Sequence, residues 1–437
     1  MSPAPIPKQI AFAALAFLAG ASMWFYVQRI AVPHQEKDAA ANERPRGNLS
    51  DLYPRWLGAR ELLLHGRDPY SREVTLEIQQ GYYGRTVDSS RPNDPKDQQG
   101  FAYPVYVAFL LAPTIGMDFA TVRTAYLWLS TGCTILSILL WKRTLRIALP
   151  PLQTLAIVTL VVGSYPFAEA FYLQQPLLVV ALIVAGSFLA RLRGWYFLSG
   201  VLLAIATVKP QIALLPVVLA LCWVSAGWRE RQRWFWGFAA TMLLLVGAAQ
   251  YILPGWLFRF YGALHAYSNY IAGTAFLEWL VGPRFAWIAR VAILLPVIWI
   301  VWRYRQSPAG SVQGRRLLSL SLVAGVCIAP NLAIYNQVLL LPALFLLWDQ
   351  REVLRESGLV ARNLTMIVWL LLSWQWVASG LLAIAKVVFR ADHFVMRAWQ
   401  IPLYTALSLP LALLLLLFLW PSARTPAKTL EETFTSA

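Results

Sequence analysis

Residues 51–70 read DLYPRWLGARELLLHGRDPY, a window dense in acids, bases and aromatics within an otherwise apolar chain. Leu52, Trp56, Ala59 and Leu63 recur at helical spacing, so the stretch predicts an amphipathic helix with those residues facing inward and Arg55, Arg60 and Glu61 elsewhere. Gly66 ends the helix, and Asp68-Pro69-Tyr70 turns the chain. An apolar run at 10–26 precedes the window, which places the helix beside a membrane span.

Working outward, the composition decides the class. Of 437 residues, 58% are hydrophobic and 13% charged, against roughly 25% charged in soluble domains. The chain is therefore expected to be an all-α polytopic membrane protein. Its net charge of +16 would suggest nucleic acid in a soluble protein. Here the Lys and Arg sit mostly in short loops between apolar runs, and no basic stripe carries interleaved aromatics, so nucleic acid is not a partner. Cys133, Cys222 and Cys327 fall in apolar segments without CxxC spacing or a nearby His and read as packing thiols. The first run is long and continues into Trp24-Phe25-Tyr26 instead of ending at a clear A-x-A cleavage site, so it reads as an uncleaved anchor.

Treating apolar runs as spans and basic loops as cytoplasmic gives about twelve crossings with both termini inside. The first covers residues 9–28, and a long extracytoplasmic loop at about 29–118 follows, carrying the helix at 51–70 and the polar tract SSRPNDPKDQQG. The apolar run at 103–113 is short for a span. If it crossed, Lys142, Arg143 and Arg146 would emerge outside, against the charge bias, so it reads as re-entrant or interfacial. Further spans fall near 119–141, 147–167, 176–190, 195–207, 211–226, 234–253, 285–302, 317–329, 334–348, 363–389 and 400–420. Several are short or interrupted by Pro, as broken or tilted helices around a cavity would be. Residues 1–420 read as one transmembrane domain and 421–437 as a disordered cytoplasmic tail.

With this topology the polar residues gather at the outer ends of the spans: Asp51, Arg55, Arg60, Tyr103, Glu169, Gln174, Gln175, Lys209, Gln211, His265, Asn269, Asn331, Tyr335 and Asn336. Such a grouping points to a membrane-embedded cavity open to the outside. Asp51 can take a proton from an attacking hydroxyl, or it can simply cap the helix that Pro54 helps to start. Lys209 interrupts IATVKPQIALLP, where a cation needs an anion or water. A lipid-linked phosphate would meet that need; so would snorkelling, or a pair with Glu169. His265 lies in the aromatic run WLFRFYGALHAYSNY, which reads as a sugar-stacking surface or as an interfacial belt. Asp94-Pro95-Lys96-Asp97 reads as a turn before a metal pair, and no HExxH, GxSxG, Walker or dinucleotide motif is present.

The order of motifs carries a resemblance. An apolar anchor is followed by Asp51, Trp56-x-x-Ala59-Arg60, Gly66-x-x-Pro69-Tyr70, Phe101-x-Tyr103-Pro104 and a short apolar run to Ala112-Pro113. This order resembles the polyprenol-phosphate-mannose-dependent mannosyltransferases of glycosyltransferase family 87, membrane enzymes of the GT-C fold class. Gln174-Gln175-Pro176 is similar to the family's G-Q-x-N turn, Gly200 to Lys209 to its G-x-x-x-G/A…K segment, and Ala329-Pro330-Asn331 to Tyr335-Asn336 to its S-P…Y-D segment.

The resemblance implies a polyprenyl-phosphate sugar donor, an acceptor on a glycolipid, glycan or protein at the outer face of the cell membrane, and inversion at the anomeric carbon. Asp51 matches the general base. Lys209, Arg55 and Arg60 would steady the departing phosphate, and Tyr53, Tyr103, Glu169, Gln174, Gln175, His265, Asn331, Tyr335 and Asn336 would line the substrate site. No cofactor is required, although a divalent cation could assist if Asp51 pairs with Glu169. Gln175-Pro176 stands where the family has a Gly-Gln-x-Asn arrangement and Asn336 where an acid is common, departures that bear on sugar and acceptor identity. The alternative is a lipid or solute transporter with an outward-facing polar cavity, for which intramembrane Lys and Glu also serve.

Overall fold

The computed structural model describes residues 6–47, 50–88, 90–271, 275–329 and 333–420 of the chain. Among them every regular element is a helix, as the composition predicts for a polytopic membrane protein.

The anchor forms α1 (Ile6–Tyr26), which continues through a π-turn at Val27–Ala31 into α2 (Val32–Ala41). The result is a single rod over Ile6–Ala41, roughly 54 Å long at 1.5 Å per residue. It outruns the expected span because the wider π-turn lies where the Pro33 ring would otherwise meet the carbonyl of Arg29. Next come α3 (Leu52–His65) and α4 (Arg72–Tyr83). Gly66 closes α3 at φ 65°, a left-handed backbone suited to glycine. Leu52, Trp56 and Ala59 are buried as the periodicity predicts, but Leu62 takes the last inward place and Leu63 is only half-buried. Both lie within one turn of Ala59, and the packing of α3 decides between them.

The run at 103–113 forms only α5 (Val107–Leu111) and a 3-10 turn at Ala112–Thr114. Such a piece extends about 12 Å and cannot cross a bilayer core of about 30 Å. Instead it supports α3: Trp56 Nε1 donates to the Thr114 carbonyl at 3.2 Å, and Gly58 leaves room for the Phe101 ring, which a Cβ there would meet at 2.3 Å.

The bundle follows. α6 (Phe119–Thr144) is a full-length span, while α7 (Pro151–Val162) and α8 (Tyr165–Tyr172) form one apolar pair bent by 57°. Three shorter apolar helices come next, α9 (Leu177–Leu192), α10 (Tyr196–Ala206) and α11 (Pro210–Ser225). α12 (Trp228–Ile252) is long, α13 (Trp256–Ile271) and α14 (Phe276–Val281) follow, and α15 (Ala286–Arg303) is again long enough to cross. α16 (Val312–Ile328) is buried along most of its length. A 3-10 segment at Ile334–Leu340 then leads into α17 (Leu341–Asp349) and α18 (Arg351–Arg355). The chain closes with α19 (Leu359–Val387), α20 (Asp392–Arg397) and α21 (Ser408–Phe418). Among the described residues six helical stretches have span length, seven if the bent pair counts as one. Several of the remaining expected crossings are short, as broken helices around a polar site are. The segment 421–437 lies outside the described residues.

Small residues set the closest helix approaches. A Cβ at Gly163 would sit 2.3 Å from the Gly20 Cα, which brings α7 against α1. Gly200 and Gly237 do the same for α10 and α12, where a Cβ would meet the Trp234 and Phe197 carbonyls at 2.1 and 2.3 Å. Cys133 and Cys327 are buried, while Cys222 is only half-buried. Gly200→Val is expected to separate α10 from α12 at a cost of about 1–3 kcal/mol. A lower melting temperature of the purified protein, read by thermal scanning in detergent, checks this; an unchanged one excludes the contact.

Candidate active site

Asp51 precedes the first turn of α3, yet its side chain makes no capping bond. Its amide donates to the Leu173 carbonyl at 2.8 Å, which pins the start of α3 to the turn after α8. The carboxylate is thereby turned toward Gln175, whose Nε2 donates to Asp51 Oδ2. The other end of the same amide, Oε1, accepts from Lys209 Nζ at 2.9 Å. Gln175 and Lys209 are only 1% and 2% exposed, so one glutamine separates an acid and a base deep in the protein.

The turn that presents Gln175 has an identifiable local cause. The Gln175 amide donates to the Ala170 carbonyl and the Gln174 amide to that of Phe171, the paired bonds of a Schellman helix end. Gln174 occupies its left-handed position at φ 44°, where glycine is the usual residue. A glycine at this position would take the same backbone without strain. The Tyr126 hydroxyl donates to the Gln175 carbonyl at 3.2 Å and fixes the turn from α6.

Lys209 stands at the break between α10 and α11, just before Pro210. Its Nζ lies 4.9 Å from the Tyr335 ring centroid, so quadrupole attraction and the Gln175 carbonyl meet the cation. Glu169 does not pair with it; the Glu169 carboxylate accepts the Tyr335 amide at 2.7 Å and holds that tyrosine in place. Arg55, one turn along α3, donates to the Asp51 main-chain carbonyl and lies 4.4 Å over the Tyr103 ring. Its buried Nε has no partner among the described residues. Tyr103 is fixed in turn by the Tyr70 hydroxyl, which donates to the Tyr103 carbonyl at 2.6 Å. The P-Y and F-x-Y-P motifs thus form a buttress under Arg55.

Burial pushes the Asp51 carboxyl above the usual carboxylate range, Arg55 and Lys209 pull it back, Asp97 adds to the rise, and the Gln175 hydrogen bond opposes it.

The structure therefore gathers Asp51, Arg55, Tyr103, Glu169, Gln175, Lys209 and Tyr335. Asn336 follows Tyr335, buried, with an Oδ1 that has no partner among the described residues. Gln174 turns its amide back to the Phe171 and Tyr172 carbonyls. Arg60 instead stacks on Trp56 at 5.4 Å, and Tyr53 packs against Phe119 and Gly81. At about 100° per residue, nine residues place Arg60 opposite Asp51 on α3, and two place Tyr53 well off its face. His265 is exposed on α13. Tyr267, two residues on, comes within electrostatic reach of Arg55 and Asp51 instead. Asn331 and the Asn269 side chain lie outside the described residues. Asp97, Tyr82 and Tyr83 also come within electrostatic reach of Asp51, and no local spacing connects them to it. Among the described residues no group of three or more His, Cys, Asp or Glu side chains is arranged to hold a metal.

Residues 101–330 match the model of glycosyltransferase family 87. The chain belongs to this family. It is a membrane glycosyltransferase, and the transporter alternative gives way. The matched segment contains Tyr103, Glu169, Gln175 and Lys209; Asp51 and Tyr335 lie outside it. No curated protein and no solved structure matches the chain.

The left-handed backbone at Gln174 makes a testable contrast. Gln174→Gly is expected to retain activity and folding. Gln174→Val, with a branched side chain forced to positive φ, is expected to lower both. Transfer assays with melting curves on the two variants check this, and equal behaviour would remove the turn's strain from the account.

Proposed function

We propose that the chain transfers a sugar from a polyprenyl-phosphate donor to an acceptor hydroxyl by direct displacement at the extracytoplasmic face of the cell membrane, with both termini cytoplasmic. The observation that carries this reading is the Gln175 bridge. It holds a carboxylate and an ammonium apart inside one buried site, the two functions that a displacement at an anomeric carbon needs.

In the reaction, Asp51 accepts the proton of the acceptor hydroxyl as that oxygen bonds to the anomeric carbon. The bond from that carbon to the phosphate oxygen breaks on the opposite side, so the configuration inverts. The electron pair leaves with the polyprenyl phosphate, whose charge Lys209 and Arg55 stabilise. Tyr103 orients Arg55, and Tyr335 with Glu169 orients Lys209. Arg60, on the far side of α3, has no part in phosphate binding. The donor's lipid chain lies among the apolar helices, and the acceptor is a glycolipid, glycan or protein of the envelope. The chemistry calls for no cofactor.

The test uses purified protein with a radiolabelled polyprenyl-phosphate sugar and a crude envelope acceptor. Asp51→Asn is expected to lower transfer by about 10²–10⁴-fold, and full activity in the folded variant sinks the base assignment. Lys209→Met is expected to raise KM for the donor more than for the acceptor; the reverse removes it from the phosphate site.

The pH dependence follows from the raised Asp51 carboxyl. The base works only when deprotonated, so activity is present above its folded pKa and is lost as pH falls through it. The acid limb of kcat/KM is expected above the ordinary aspartate value of about 3.9. A limb at or below that value contradicts the buried base.

A further inference from the structure

A cleft of about 560 Å³ opens between α2, residues 44–46, the end of α4 and residues 399–400. The volume falls within the range of small-molecule sites, about 300–1,000 Å³. Two aromatic pairs line it. His34 stacks on Trp399 with centroids 4.7 Å apart and planes at 27°, and Tyr82 meets Tyr83 edge to face at 4.7 Å. Both pairs are anchored. The Tyr26 hydroxyl donates to the Trp399 carbonyl at 2.6 Å, and Gly47, at φ 74°, lies where a Cβ would be 2.4 Å from the Tyr82 ring.

The charged groups of the cleft have partners. Arg44 pairs with Asp38 in the lining, and Arg46 pairs with Glu36 beside it. An anionic ligand would have to displace a carboxylate from either guanidinium, while Arg46 Nη2, which has no partner among the described residues, is open to a hydroxyl. A neutral polyhydroxylated ligand finds aromatic faces for its C–H surface and paired donors and acceptors for vicinal hydroxyls. These exposed ion pairs contribute little to stability, so they can exchange partners with such a ligand.

The cleft is linked to Asp51 by a short stretch of chain. Arg46 of the lining is five positions before Asp51, so the two Cα atoms are at most about 18 Å apart. The phenols of Tyr82 and Tyr83 lie within electrostatic reach of its carboxylate. Lys209 stands on the far side of Gln175, among the apolar helices.

We propose that this cleft seats the saccharide portion of the acceptor, a short neutral oligosaccharide lying across Trp399 and Tyr83, and delivers its terminal hydroxyl to Asp51. The proposal rests on the sugar-transfer reading and divides that site in two, with the acceptor entering past α2 and the donor phosphate held at Lys209.

Binding of mannotriose, maltotriose and galactotriose to the full chain in lipid nanodiscs, followed by isothermal titration, tests it without turnover; trigalacturonate serves as the anionic control. At least one neutral trisaccharide is expected to bind. Trp399→Ala should weaken that binding by about tenfold or more, while Trp399→Phe, which keeps a ring, stays within about threefold. Binding by none of the neutral trisaccharides, equal or tighter binding of trigalacturonate, or unchanged binding by a folded Trp399→Ala would each overturn the proposal. If Trp399→Ala does not fold, Tyr83→Ala takes its place with the same expectation. Full transfer by Asp51→Asn would remove the base assignment and leave saccharide binding intact, so the two failures are told apart.

Discussion

The site depends on keeping two opposite charges out of water and out of contact. A buried ion is costly unless its partners are good, and Asp51 and Lys209 share one partner, the Gln175 amide. Direct pairing would satisfy both charges and leave neither free for a substrate. With the amide between them neither is neutralised by direct contact, and opposite charges still face each other across the pair. Much of the surrounding architecture serves to place that one amide. The Schellman turn after α8, the Tyr126 hydroxyl and the Asp51 amide all bond to the backbone of residues 173–175 or to its helix end.

The motifs in the sequence turn out to do two kinds of work. Gly200 lets α12 come close to α10, while the glycine expected where Gln174 stands would serve a left-handed helix end. Neither touches substrate chemistry. Tyr70 and Tyr103, by contrast, connect a turn after α3 to the guanidinium of Arg55 through one hydrogen bond and one aromatic face. A motif that spans two loops in sequence is a single contact in space.

The all-helical membrane class was legible because it is written in composition and repeat length. The inward face of α3 was legible at Leu52, Trp56 and Ala59, since those residues act through local periodicity. The same periodicity, applied more strictly, separates Arg55 from Arg60 and Tyr53 from Asp51. What remained hidden is non-local. Local propensity makes Asp51 a helix cap, and only a glutamine 124 residues away turns it to another use. Tyr267 and His265 differ by two positions in an aromatic run, and nothing in the sequence says which face of α13 meets Asp51. Tyr82, Tyr83 and Asp97 reach the site through the folding of the first long loop, which leaves no short-range signature.

The unbroken rod of α1 and α2 has a mechanical consequence. One end is the hydrophobic anchor at Ile6, and the other carries His34 against Trp399. A helix longer than the hydrocarbon layer tilts to match its thickness, and a continuous helix carries its two ends round together. Trp399 is held to the same rod twice, through the Tyr26 hydroxyl and the His34 ring, so this wall of the cleft follows the anchor instead of opening against it.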